Sequence, residues 1–330
     1  MMRLPKLASV STAVLTSALG ALAALGWVDA AAQTFPTRQV TIIVGYGGGS
    51  PPEIEARSLA EFFSKAWSKP VIVEPRPGAG TIIAHQAVLN APPDGHTIIW
   101  SSASISAFKV LNKELPFDPL KDFAPISTVV GFASGLATNT KVPAKTVEEF
   151  VAYAKANPGK LNYASAGQNT VLLVMEAFKM ATGAPLTEIA YPALPQYMVA
   201  LLRNDVQLAQ ATANRQLKAQ VDAGDVRVLL IPGNRRSPLF PDVPTAAELK
   251  LDVPRNDWQP LLGPGRMPKA AVDVVAAEVG RYVNDPEVKK RAADRGIELI
   301  GSTPEQLREL MDHDAAVYQK VANTIGLKPQ

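Results

Sequence analysis

Gln39-Val40-Thr41-Ile42-Ile43-Val44-Gly45-Tyr46-Gly47-Gly48-Gly49-Ser50-Pro51-Pro52-Glu53 is the stretch on which the fold class turns. Val40, Ile42, Ile43 and Val44 make a short apolar run, the mark of a strand buried on both faces. A glycine-rich loop follows. Pro51-Pro52 then opens a helix with Ile54, Leu59, Phe62, Phe63 and Trp67 at helical spacing. Proline is tolerated there because a first-turn N–H has no helical partner. Working outward, residues 71–74 read as a strand, 75–80 as a turn, 81–90 as a helix and 97–101 as a third strand after the turn Pro92-Pro93-Asp94-Gly95. Further on, Thr146-Val147-Glu148-Glu149 predicts a capping box, and Pro158-Gly159 ends its helix. Residues 161–165 and 226–231 read as strands, 170–181 as a helix, and Thr303-Pro304-Glu305-Gln306 as the cap of the last helix. Strand–loop–helix units in series imply parallel sheets covered by helices. A chain of 330 residues is long enough for two such α/β lobes.

Composition narrows the function. Lys+Arg number 33 against 30 Asp+Glu, a net charge of +3, too even for a nucleic-acid scaffold. The absence of cysteine excludes disulfides, thiolate zinc sites, iron–sulfur clusters, a cysteine nucleophile and a lipoprotein anchor. Residues 1–32 combine basic Arg3 and Lys6, an apolar stretch from Ala8 to Trp27 and a small-residue end, Ala30-Ala31-Ala32. That is the layout of a secretory signal peptide. The stretch is also long enough for a membrane anchor, although Ser11, Thr12, Ser17, Gly20 and Gly26 lower its hydrophobicity. An exported, cysteine-free chain of this size fits a bacterial periplasm.

In an open α/β sheet, ligands sit beyond the carboxyl ends of strands, where helix N-termini favour a negative group. Two loops have that form: Gly45-Tyr46-Gly47-Gly48-Gly49-Ser50 and Ser165-Ala166-Gly167-Gln168-Asn169-Thr170. Either could be an ordinary turn, since Ser, Asn and Thr are also common caps. Ser101, Ser102, Ser104 and Ser106 follow the third strand, as a hydroxyl-lined wall or simply a loop and helix cap. Tyr46, Trp100, Tyr191 and Trp258 stand near strand ends and could pack or stack on a ligand. Gly45-x-Gly47-x-x-Ser50 approaches the dinucleotide fingerprint, but its last position is Ser and two prolines follow. His85, His96 and His313 lack metal-ligand spacing, and there is no nucleophile elbow or P-loop.

These residues resemble the Bug-type (TctC-like) solute receptors of tripartite tricarboxylate transporters. The resemblance is carried by Phe35-Pro36 with Val40 to Val44, by Val71 to Gly80, by Ala91 to Thr97, and by Leu115 to Pro119 with Lys121 to Pro125. It continues through Lys155 to Gly167, Arg236 to Thr245 and Gly301 to Glu305. It implies a type II periplasmic binding protein: two lobes, each a mainly parallel sheet flanked by helices, with a ligand cleft between them. Expected lobes are residues 33–132 with 256–330, and 133–255. The implied function is capture of a small organic carboxylate and delivery to a permease of one large and one small subunit. No cofactor, metal or nucleic acid is needed, and the receptor is expected to be a monomer. A sensing receptor or a periplasmic enzyme is the alternative; an enzyme would show a nucleophile beside a base in the cleft.

The resemblance places the ligand against Tyr46 to Glu53, Ala79, Gly80 and Thr81 in one lobe, and Ser165 to Thr170, Tyr191 and Thr212 in the other. Several positions depart from the family pattern. Pro52 and Glu53 stand where the family has Thr/Ser and Asp, Val171-Leu172 where it has Ser-His, and Pro192-Ala193 where it has Lys-Gly. Ala211 or Thr212 replaces a usual Asp. The cleft has exchanged polar groups for apolar ones, so the expected ligand is less polar than citrate or malate, an aromatic or medium-chain acid.

Overall fold

The computed structural model describes residues 35–167, 169–191 and 194–329; the expected signal peptide, Gln168 and Pro192-Ala193 lie outside them. The first β/α units are β1 (Val40–Val44), α1 (Pro51–Trp67), β2 (Val71–Pro75), α2 (Ile82–Leu89) and β3 (Thr97–Trp100), followed by the short helix α3 (Phe108–Leu111). The chain then crosses between lobes along β4 (Phe123–Gly131) and β5 (Ser134–Asn139). The second lobe continues with α4 (Val147–Ala156), β6 (Asn162–Ser165), α5 (Thr170–Thr182), β7 (Thr187–Ala190), α6 (Leu194–Arg203), β8 (Leu208–Thr212), α7 (Arg215–Asp222) and β9 (Val226–Leu230). The chain returns through β10 (Trp258–Pro264), α8 (Lys269–Asn284), α9 (Pro286–Arg295), β11 (Glu298–Leu299) and α10 (Pro304–Ile325).

Two sheets result, ordered β11-β4-β10-β3-β1-β2 and β7-β6-β8-β5-β9. Side chains alternate across each. Ile42, Val44, Ile98 and Trp100 face one core with α1 and α8, while Ile43 and Ile99 face another with α2. Burial on both faces is why these strands read as unbroken apolar runs.

The expected mainly parallel pairing is corrected to a mixed one. β1 lies parallel to β2 and β3, and β6 parallel to β7 and β8, but β10 is antiparallel to β3 and β4, β11 to β4, and β5 to β8 and β9. The cause is the crossing itself. A strand that enters a lobe from the crossing runs away from it, whereas β1, β3, β6 and β8 run toward it. Trp258 at the start of β10 pairs with Gly131 at the end of β4, and Ser134 at the start of β5 pairs with Thr212 at the end of β8. Phe132 N–H donates to the Asp257 carbonyl at 3.0 Å, tying the outgoing and returning segments together.

Caps follow the sequence with one exception. Thr303 and Gln306 form a full capping box, with bonds of 3.2 and 3.0 Å. Thr146 accepts from Glu149 N–H, but the Glu149 carboxylate takes the Lys145 N–H instead, so that box is half formed. The last helix serves both lobes: Leu307 and Met311 enter the core around Ile43 and Trp258, and Tyr318 and Val321 enter the core around Leu173 and Phe178.

Candidate functional site

The strand order β3-β1-β2 sets the loops after these strands side by side on one edge of the first lobe. Gly45 is pressed against Thr81: a Cβ there would come within 2.6 Å of Thr81 Cβ. Gly47, Gly48 and Gly49 are exposed, and a Cβ on any of them would meet nothing within 4 Å. The turn Gly78–Thr81 holds four successive residues in left-handed conformations, with φ of 135°, 44°, 59° and 79°. Ala79 and Gly80 are exposed on it. Ser102 Oγ lies 2.6 Å from Ser104 Oγ. The Tyr46 hydroxyl pairs with Ser102, while burial raises its pKa above the ordinary tyrosine value.

The sequence promised unpaired N–H groups at two helix N-termini. The chain fills much of both itself. Gly49 N–H donates to Glu53 Oε2 at 3.2 Å, and Glu53 is also paired with Arg57. Pro51 and Pro52 have no N–H to offer, so the start of α1 holds a buried carboxylate and few donors. Among the described residues, the N–H groups of Gly47 and Gly48 have no partner. In the second lobe Asn169 Oδ1 accepts from Val171 N–H at 3.0 Å and Leu172 N–H at 3.2 Å, capping α5 ahead of Thr170. Ser165 Oγ accepts from Gly167 N–H at 3.2 Å and donates to Glu188. Tyr191 N–H donates to the Ser165 carbonyl at 2.8 Å, so Tyr191 and the second loop share one edge. Among the described residues, two hydroxyls of the first-lobe edge, Ser50 Oγ and Thr81 Oγ1, are buried without a partner.

Both edges open on the crossing. There a cavity of about 190 Å³ is lined by Phe132, Ser134, Val171, Thr212, Asp257 and Gln259, among others. Gln259 Oε1 accepts from Trp100 Nε1 at 2.9 Å, which fastens the end of β3 to this floor. Gln210 Nε2 donates to Ser134 Oγ at 2.8 Å and to Asn256 Oδ1 at 2.6 Å, joining the second lobe to both crossing segments. Asp257 is held by buried Arg255 at 2.6 and 3.2 Å, so its charge is already matched. A larger cavity of about 660 Å³ lies elsewhere, with Gly167, Glu176, Glu188 and the C-terminal Leu327 on its wall. Gly167 therefore borders that outer recess, Ala166 packs into the second-lobe core, and of the expected residues only Thr212 lines the cavity at the crossing.

Sequence reasoning missed Gln210 and Gln259. The available signal was an amide inside an otherwise apolar strand, Leu208–Thr212 and Trp258–Pro264. It also missed a serine–histidine pair: Ser101 Oγ is 2.8 Å from His85 Nε2. Ser101 is 3% exposed and His85 1%, so no substrate atom reaches this pair as a nucleophile and base.

Comparison with known proteins agrees with this architecture. Residues 55–327 match the model of the tripartite tricarboxylate transporter family receptor. A Cupriavidus necator protein, the UPF0065 protein in the gbd 5' region, is 37% identical over 265 residues, 80% of each chain. Two solved structures share the fold over 90% of this chain and 100% of theirs. They are the periplasmic binding protein BugD, at 27% identity and TM-score 0.64, and R. palustris Rpa4515 with adipate, at 26% identity and TM-score 0.66. The match begins within α1, runs through both crossing segments and includes the last helix, and by it the chain belongs to the tripartite tricarboxylate transporter family of receptors.

Proposed function

We propose that the protein is a periplasmic receptor that closes its lobes, 33–132 with 256–330 and 133–255, over a small organic carboxylate and presents it to a two-subunit membrane permease. Membership of a solute-receptor family, rather than a family of enzymes, supports binding over catalysis. The observation that carries the reading is the meeting of both carboxyl edges at one crossing, with the orphaned hydroxyls of Ser50 and Thr81 on the first of them. The carboxylate end is met by the Gly47 and Gly48 N–H groups and by these hydroxyls. Tyr46, Glu53, Ala79, Gly80, Ser101, Ser102 and Ser104 shape that edge. Ser165 to Thr170, Tyr191 and Thr212 close from the opposite side. Contacts from both lobes favour the closed state and so couple binding to closure.

The ligand body is less polar than citrate or malate. Phe132, Val171 and Ala211 border the cavity beside the uncharged polar groups of Ser134, Gln210, Thr212, Asn256 and Gln259, and its one charged side chain among the described residues, Asp257, is already paired. Adipate in the R. palustris relative is a six-carbon acid of this kind. The test is a thermal-shift screen of the chain against short dicarboxylates, tricarboxylates, amino acids, medium-chain acids and aromatic acids. A ligand at about 100 times its Kd adds about 2.7 kcal/mol. That corresponds to roughly 2–4 °C per kcal/mol in a protein of this size. Medium-chain or aromatic acids are expected to shift the midpoint. Tight binding of short dicarboxylates alone would overturn the assignment of a less polar ligand, and no shift with any acid, after unfolding and refolding to remove carried-over ligand, would overturn carboxylate capture.

A further inference from the structure

Thr81 is the only β-branched residue with a left-handed backbone among the described residues, at φ 79°. Such a conformation is costly for a β-branched side chain and persists where neighbours over-determine it. The neighbours are visible. Its Cβ is wedged against Gly45, and its carbonyl is 2.9 Å from His85 Nδ1. A carbonyl oxygen only accepts, so Nδ1 carries the proton and Nε2 accepts from the Ser101 hydroxyl at 2.8 Å. The ring is boxed by Phe108, Phe117 and Phe123, with centroids 5.2, 5.8 and 5.4 Å away. His85 thus joins the turn after β2 to the first residue after β3. Through the Thr81–Gly45 wedge it also fixes the loop after β1. Burial pushes its pKa down to about 4, which keeps the ring neutral and the tautomer single at neutral pH.

We propose that His85 is a positioning residue for the ligand edge of the first lobe: it holds Thr81 left-handed and thereby sets three loops in register, without touching the ligand. The inference rests on reading that edge as the carboxylate site. It makes the affinity of the receptor depend on a residue in the core of the lobe.

The experiment compares full-length wild type, His85→Phe and His85→Gln by hydrogen–deuterium exchange without ligand, and by the thermal shift that adipate produces. Phenylalanine keeps the aromatic packing and removes both hydrogen bonds. Exchange over residues 77–84 is expected to rise at least tenfold in His85→Phe, with β1 and β3 unchanged, and the adipate shift to fall by more than half. His85→Gln, which can donate and accept, is expected to recover part of both. Exchange over 77–84 within twofold of wild type, or a uniform rise across the lobe with the adipate response intact, would mean that the ring only packs. If no acid stabilises the wild type, the carboxylate reading fails, and the exchange comparison still decides the role of His85 by itself.

Discussion

Two glycines three residues apart show how a single position is read. Gly45 has no room: a side chain there meets Thr81 Cβ at 2.6 Å and Cγ2 at 2.8 Å. Gly48 has open space on all sides and no left-handed backbone. Gly45→Val is therefore expected to destabilise the fold by about 1–3 kcal/mol, the usual consequence of overpacking, measured by urea unfolding. Gly48→Trp should leave the unfolding midpoint within about 0.5 kcal/mol of wild type, as for an exposed site, while abolishing the acid-induced thermal shift. An unchanged shift in Gly48→Trp would remove the loop from the binding site. The sequence alone shows a run of glycines and no difference between them. The difference comes from a turn about 35 residues away, at Gly78–Thr81.

Among the elements, β1, β3 and β6 were legible as short, largely buried strands, and the helices beside them by their apolar spacing and, for α1, its two opening prolines. β10 was not. It carries Pro260 and Pro264, which argue against a central strand. Pro260 is accommodated because a register shift separates Gln259 from Pro260 in the pairing with β4. β11, two residues long, is below what any periodicity reveals. The two loops read as ligand edges lie at strand ends, but which acceptor would occupy their N–H groups could not be read. Glu53 and Asn169 win because each lies within a turn of its donor, ahead of any external ligand. Asn169→Ala should therefore cost about 1 kcal/mol through the lost cap, seen in the denaturant midpoint. It also frees two N–H groups at the start of α5, so tighter carboxylate binding is expected. Unchanged stability would show that the cap is replaced by water at no cost.

At the scale of the whole molecule, stability carries the signature of His85. Its pKa in the fold is about 4 against 6.5 in the unfolded chain. The unfolded state therefore takes up a proton that the fold refuses. Stability is full above about pH 6.5 and is lost as the pH falls toward 4, by roughly 3 kcal/mol for this one group. Other groups titrate as well, with buried Asp314 raised by its burial. The informative quantity is the difference between wild type and His85→Phe. The stability of wild type relative to His85→Phe should fall steadily from pH 7 to pH 4 in urea unfolding; a constant offset would mean that the histidine has the same pKa in the fold as in the unfolded chain.

The final helix has a consequence in time rather than in space. Pro304–Ile325 gives Leu307 and Met311 to one core and Tyr318 and Val321 to the other. Neither lobe can complete its interior until residues 304–325 have been made and released. A chain that emerges N-terminus first stays short of its stable state until this helix is out, and then both halves are sealed by the same few turns.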